Sequence, residues 1–363
     1  MTLVTLSYFS ISKHADPFQW LRQIDFFTGT LEELSLSAKV HSFHHIGYRG
    51  LVEQNGVQYH FTNLSQWNLL FPFALHKTIR VLNPDAIIIQ GFQSPFQSLL
   101  LRLSLGKKVQ LWIQHHADQP HRFHKKYFQI LLDKFIIGYF FTSRELAAVW
   151  IKSQQISKVK KIVEVMECSS VYYPIDRIQA KTSTGLSGTN NYLWVGRLEN
   201  NKDPIKLITS FIKFLTIHPQ AKLYVVYQQD DLLPEVTLLT KNIPNIILIG
   251  KQDKEQLLNW YNSAEFIIST SHYEGSGIAV CEAMSCGCIP ILSSIPSFRW
   301  MTENGKCGLL FDNGETMDLF QALRKSVTLN VREERSTTID LFNDRLSFRS
   351  IAKTMLAAIL SHQ

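Results

Sequence analysis

Short apolar, β-rich runs alternate with longer amphipathic stretches along almost the whole chain, and that alternation leaves few architectures open. In the first half the runs are "TLVTLSYF" (2–9), "KVHSFHHI" (39–46), "VQYHF" (57–61), "AIIIQG" (86–91), "KVQLWIQHH" (108–116), "FIIGYFFTS" (135–143) and "KIVEVME" (161–167). Helix-like segments lie between most of them, at 17–37, 70–82, 96–105, 121–134 and 143–154. The pattern resumes with "NYLWVGRL" (191–198), "KLYVVYQ" (222–228), "NIILIG" (245–250), "EFIISTS" (265–271) and "IPILSS" (289–294). Such alternation predicts parallel sheets covered by helices on both faces, an α/β class.

Between the two series, "DRIQAKTSTGLSGTN" (176–190) loses its apolar residues and reads as a linker. The expected organisation is a first domain over 1–176 and a second over 190–346. "SFRSIAKTMLAAILSHQ" (347–363) reads as an amphipathic helix whose membership the sequence leaves open, packing back on the first domain being one arrangement. A length of 363 residues suits two ordinary domains, and a composition 45% hydrophobic and 18% charged is that of a folded globular chain. The longest apolar runs, such as "FIIGYFF" (135–141), fall well short of the roughly 20 residues needed to cross a bilayer. The chain begins at once with a strand-like run and no basic region, which favours a cytoplasmic protein over a secreted one. Five cysteines, at 168, 281, 286, 288 and 307, match no zinc-site spacing and read as buried thiols.

Charge is unevenly placed. Residues 1–175 carry 18 Lys and Arg against 11 Asp and Glu, whereas residues 176–363 carry 19 of each. The basic half implies either an anionic partner, such as a phosphorylated acceptor or a lipid headgroup surface, or a solvated face.

Two stretches of the second half concentrate chemistry. "NYLWVGRLENNKDPIKLITSF" runs from a strand into a helix that Asp203 caps and Pro204 starts, so Arg197 and Lys202 fall in the turn at the carboxyl edge of the sheet. Two cations there suit a diphosphate. "SHYEGSGIAVCEAMSCGCIP" (271–290) reads as a turn entering a helix near Gly277 and leaving it near Gly287. Glu274 precedes that helix and Glu282 lies within it. Between them the amides of Gly275, Ser276, Gly277 and Ile278 lie at a helix start, where an anion can approach. Carboxylate, phosphate-binding turn and second carboxylate make three stations that match the hydroxyls and phosphates of a nucleoside diphosphate sugar.

"VGRLENNKDP" and "YEGSGIAVCEAMSCGCIPI", in this order and about seventy residues apart, resemble the retaining glycosyltransferases of family 4, which share the GT-B fold of two Rossmann-like domains facing across a cleft. The paired glutamates match that family's Glu-x7-Glu motif. The resemblance covers roughly 190–312 and implies roles for matched positions. Arg197 and Lys202 would bind the donor diphosphate and stabilise it as it leaves. Glu274 would hold sugar hydroxyls, Glu282 the ribose, and the turn around Gly250 and Lys251 would lie near the base.

In the first half, "KVQLWIQHHADQPHRFHKK" places His115 and His116 at a strand's carboxyl end, where the family commonly has a histidine that reaches the donor sugar. The His-Ala-acidic order favours His116, and a shift of one residue would select His115. The chain departs from the family at two points. "YFSISKHADPF" lacks the usual glycine pair after the first strand, leaving Ser10, Ser12 or Lys13 in its place, and Ser276 stands where a bulkier residue is common.

The expected function is transfer of a sugar from a nucleoside diphosphate donor to an acceptor hydroxyl, with retention, in surface polysaccharide or glycoconjugate synthesis. No cofactor or metal is expected, since no Asp-x-Asp occurs. Two rivals keep the same fold: a non-hydrolysing nucleotide-sugar epimerase, and a catalytically silent donor-binding subunit. A nicotinamide enzyme is disfavoured because no Gly-x-Gly-x-x-Gly follows the first strand, and nucleic acid is not an expected partner.

Overall fold

The computed structural model describes residues 1–106, 108–228, 230–312, 314 and 316–362. The chain divides into two compact units, one formed by Met1–Ser169 together with the stretch from Phe348 onward, the other by Ser170–Ser347.

The first unit is built on eight strands: β1 (Thr2–Ile11), β2 (Lys39–Ile46), β3 (Gly50–Gln54), β4 (Val57–Thr62), β5 (Ala86–Gln90), β6 (Gln110–Gln114), β7 (Ile136–Phe141) and β8 (Ile162–Glu164). Their order in the sheet is β3-β4-β2-β1-β5-β6-β7-β8. All pairings are parallel except β3 with β4, a hairpin turning at Asn55 and Gly56, both at positive φ. The central strands read as apolar runs because both faces are covered: Leu3, Val4 and Leu6 of β1 have no exposed surface. Each such side chain contributes about 1.5–3 kcal/mol by leaving water. The segment expected as one helix over 17–37 breaks into two, Pro17–Gln23 and Asp25–Ser35. The helix Phe348–Leu360 belongs to this unit. Its Phe348 ring fills the space over Gly29, where an added Cβ would stand 2.6 Å from the ring, and the Gln110 amide donates to the carbonyl of Ile359 at 3.2 Å.

The second unit holds six parallel strands: β9 (Asn191–Gly196), β10 (Lys222–Tyr227), β11 (Ile246–Gly250), β12 (Phe266–Ser269), β13 (Ile289–Ser293) and β14 (Leu309–Phe311), in the order β11-β10-β9-β12-β13-β14. The chain leaves β9 toward β10 on one side and returns to β12 on the other. In open α/β sheets such a reversal of strand order opens a crevice at the carboxyl edge. The first unit has its own reversal, between β1 and β5. These two parallel α/β sheets are the GT-B fold.

The stretch read as a linker is not irregular throughout. Arg177–Thr184 is a helix, capped by the Asp176 carboxylate on the Gln179 amide and ended by Gly185 at φ +71°. It buries only Ala180, which is why its sequence carries so little apolar signal. All five cysteines are buried free thiols. No helix among the described residues is long and apolar enough to cross a membrane.

Candidate functional site

The loops that follow β9 and β12, the two strands flanking the reversal in the second unit, are tied together. The Lys202 ammonium donates to Glu274 Oε1, both side chains being largely buried. The Thr270 hydroxyl donates to the carbonyls of Lys202 (2.7 Å) and Asp203 (3.0 Å), the amide of His272 donates to the Asn201 carbonyl (2.9 Å), and the Asn201 side chain donates to the Tyr273 carbonyl (2.9 Å). Asp203 sits at φ +47° and caps the helix Pro204–Leu215 through the Lys206 amide. The turn carrying Lys202 is therefore fixed before any ligand arrives. Arg197 is less constrained, pairing with Glu199 Oε1 at 2.9 Å and keeping half its side chain exposed.

The second stretch enters its helix, Ile278–Ser285, through Gly277 at φ +64°. A Cβ at this position would stand 2.4 Å from the Phe298 ring, so glycine is required on both backbone and packing grounds. Gly275, Ser276 and Gly277 are buried, while Ile278, Ala279 and Glu282 form the partly exposed face of the helix. The first amides of a helix have no partner within it. Glu282 accepts a hydrogen bond from the Tyr261 hydroxyl at 2.7 Å. Burial, then the adjacent Glu282 charge, pushes the Tyr261 phenol far above its ordinary range, so it stays a donor. Gly250, at φ +80°, ends β11, and Lys251 after it is exposed.

The structure thus brings Lys202 and Glu274 into direct contact and sets Glu282 on the helix that follows. Glu274 grips the neighbouring cation, and a ligand at either group would share or displace that contact. Tyr261 could not be picked out by sequence reasoning, since it lies 21 positions from its partner in an unrelated helix.

In the first unit the two histidines have opposite surroundings. His115 is buried, stacked on Phe141 with centroids 4.4 Å apart and edge-on to Phe92, and its Nε2 lies 2.9 Å from the carbonyl of Asp118. Burial holds its pKa below the ordinary value. His116 keeps 36% of its side chain exposed and has an acceptor at each ring nitrogen: Glu167 Oε2 at 3.3 Å from Nδ1, and Gln90 Oε1 at 2.7 Å from Nε2. The surrounding protein opposes charge on the ring, but the hydrogen bond and charge of Glu167, helped by Asp118, raise its pKa. Two acceptors around one imidazole favour the imidazolium. Asp118 itself serves the loop after β5, accepting from the Phe92 amide (3.0 Å) and the Gln93 side chain (2.6 Å). Glu167 and Gln90 escaped the sequence reading because only the folded sheet brings them to His116. No group of three His, Cys, Asp or Glu side chains among the described residues is placed to hold a metal ion.

A cavity of about 260 Å³ opens beside this histidine, wholly within the first unit. Its walls come from β1 (Thr5, Leu6, Ser7), β2 (Ser42, Phe43, His44) and the two helices after β1 (Trp20, Ile24, Phe26, Phe27), with Gln90, His116, Glu167 and Cys168 completing it.

Residues 176–339 match the family model of glycosyl transferases group 1. Over 160 residues the chain is 34% identical to GDP-mannose:cellobiosyl-diphosphopolyprenol alpha-mannosyltransferase of Xanthomonas campestris, an alignment covering 40% of each protein. It is 27% identical to D-inositol 3-phosphate glycosyltransferase of Corynebacterium jeikeium (strain K411) over 143 residues, 37% of this chain and 34% of that protein. The chain spans between about a third and a half of the length of these and other curated relatives it matches. The fold likeness runs further. Anabaena HepE in complex with UDP superposes with a TM-score of 0.76, 14% identity and full coverage of both chains. Sucrose-phosphate synthase from Thermosynechococcus elongatus does so with 0.73, 15% identity and 99% and 98% coverage.

Proposed function

Because residues 176–339 match the family model of glycosyl transferases group 1 and the chain has the GT-B fold, we propose that it transfers a sugar, with retention, from a nucleoside diphosphate sugar to an acceptor hydroxyl. The observation that carries the reading is the fixed Lys202–Glu274 pair at the strand-order reversal, beside the opening of the helix Ile278–Ser285. Expulsion of the diphosphate is the demanding event, and preorganised cations and helix-start amides favour it because charge grows there in the transition state. In this reading Lys202 and Arg197 hold the diphosphate and the amides of Gly275, Ser276, Gly277 and Ile278 receive phosphate oxygens. Glu274 exchanges its lysine contact for a sugar hydroxyl, and Glu282, steadied by Tyr261, accepts from the ribose. Gly250 and Lys251 border the base. The second unit is the donor domain and the first, with the Phe348–Leu360 helix, the acceptor side. Relatives named for diphosphopolyprenol and inositol phosphate acceptors support a role in surface polysaccharide or glycoconjugate synthesis.

The test is incubation with UDP-, GDP- and ADP-sugars in the absence of acceptor. Slow release of free sugar with one donor is expected, an altered sugar nucleotide would point to an epimerase, and tight binding with neither would point to a silent subunit.

In this reading His116 contributes as a fixed cation, and Glu167 as the group that keeps it charged. Its raised pKa means that the charge persists below the ordinary value near 6.5 and is lost as pH climbs through the folded value. Glu167→Gln is expected to move the alkaline limb of the pH profile of kcat/KM to lower pH. Titration of the His116 ring by NMR checks the same point, and an unmoved titration would remove Glu167 from this role.

An anionic membrane surface is the proposed docking site of the first unit. Phe71, Phe96 and Phe128 form a chain of ring contacts of 5.9 and 5.2 Å. Around it Trp67, Phe73, Phe123 and Tyr127 are exposed, as are Lys77, Arg80, Arg122 and Lys125. Aromatic rings interleaved with cations suit the headgroup region. Co-sedimentation with phosphatidylglycerol vesicles is expected at low salt and should weaken at high salt; no sedimentation at low salt excludes this surface.

A further inference from the structure

The cavity beside His116 has an unusual lining for a protein proposed to handle sugars. Its polar side chains are spent on one another. The Trp20 indole N–H donates to His44 Nδ1 at 3.3 Å, which leaves the His44 proton on Nε2, 2.8 Å from the Ser42 hydroxyl, and the Thr5 hydroxyl donates to the same Ser42 oxygen at 2.8 Å. What remains facing the space is carbon: Leu6, Ile24, Phe26, Phe27, Phe43 and the face of Trp20. The remaining polar lining includes Ser7, whose hydroxyl accepts from the Phe9 amide at 3.1 Å, and the connected set of Gln90, His116 and Glu167 described above.

A saccharide placed in the apolar part would lose hydrogen bonds to water without replacing them, a cost that its hydroxyls cannot recover from such walls. An apolar group gains instead, and about 150 Å³ of apolar space suffices for a benzene-sized ring. The 260 Å³ here has room for one ring with a substituent.

We propose that this cavity is an acceptor subsite for an apolar aglycone, an aromatic ring or a short branched alkyl group, with the acceptor's polar end lying at Gln90, His116 and Glu167. The inference rests on the transferase reading for the word acceptor, and it commits that reading to acceptors with an apolar group next to their sugar or hydroxyl. Neither the composition nor the family resemblance requires this, because the feature arises only when β1, β2 and the two following helices assemble.

The test compares phenyl and methyl β-D-glucoside as probes of identical sugar and different aglycone, with binding read by calorimetry and by Trp20-dependent fluorescence. The phenyl compound is expected to bind about tenfold or more tighter, the gain from burying one ring. Ile24→Trp fills the cavity from the helix side and should erase the preference, while Ile24→Ala enlarges it and should favour a naphthyl over a phenyl aglycone. Equal affinities for phenyl and methyl glucoside in the wild-type protein overturn the proposal whether or not either variant folds. A phenyl preference that survives in a folded Ile24→Trp protein places the ring elsewhere and overturns it too. Sugar-nucleotide binding is measured separately. Its presence without aglycone preference refutes the subsite and spares the transferase reading, and its absence with aglycone preference refutes the transferase reading and keeps the apolar site.

Discussion

Alanine at Lys202 is expected to lower turnover at saturating donor by about 100-fold, the loss that follows removal of one preorganised contact to developing charge. Three features make the contact preorganised. The ammonium is held by Glu274, the turn beneath it is pinned by the Thr270 hydroxyl to two carbonyls, and Asp203 locks that turn to the next helix. Nothing needs to reorganise when charge appears on the leaving diphosphate. Truncation has a second effect, since it also strips the largely buried Glu274 of its cation. Combining Lys202→Ala with Glu274→Gln separates the two. Measured against Glu274→Gln alone, the double variant shows no further loss if the stranded carboxylate was the cause, and falls about 100-fold lower if the phosphate contact was. Arg197→Ala is expected to act in the same direction but less, because half of that side chain is in water. Turnover unchanged in both alanine variants, in a steady-state assay with the preferred donor, would remove the assignment.

Acid is expected to unfold the first unit well before the second. Its buried imidazoles are held neutral: burial brings His44 to about 3, and His45 and His76 to about 4. His60, whose Nε2 lies 2.9 Å from His41 Nδ1 and whose ring stacks on Phe43, is likewise at about 4. The unfolded chain takes up these protons near pH 6.5, the folded chain only near 4 or below. Folded values lie below the unfolded one, so the stability is present above pH 6.5 and is lost as pH falls toward 4. For His44, His45 and His76 the loss is on the order of 1–2 kcal/mol each by pH 5, together a large part of a typical domain's 5–15 kcal/mol. Circular dichroism melts from pH 7.5 to 5 should therefore resolve a transition that moves down with acid. A melting profile constant across that range would contradict the argument.

The sheet pattern was readable because central parallel strands are apolar on both faces, so β1, β5 and β6 stand out as runs. The strand Gly50–Gln54 did not: it is an edge strand with alternating burial, and only the Asn55-Gly56 turn after it signals a hairpin. Leu309–Phe311 is too short to carry a pattern. The Arg177–Thr184 helix rests on its two ends more than on an apolar face, and so resembled a linker. Within the candidate site, Lys202 was visible as a cation in a strand-to-helix turn, and Glu274 and Glu282 as carboxylates on either side of a helix start. Tyr261, Glu167 and Gln90 were not, because each is ordinary in its own neighbourhood and acquires meaning from a partner brought to it by the fold. The aromatic setting of His115 belongs to the same class.

The first unit is completed by a helix that the chain supplies only after the whole second unit has been laid down. During synthesis, Ser170–Ser347 must emerge from the ribosome before Phe348 can cover Gly29 and Ile359 can meet Gln110. Until then the nascent first unit holds an uncovered groove along its second helix. Completion of the earlier-made half therefore waits on synthesis of the later one.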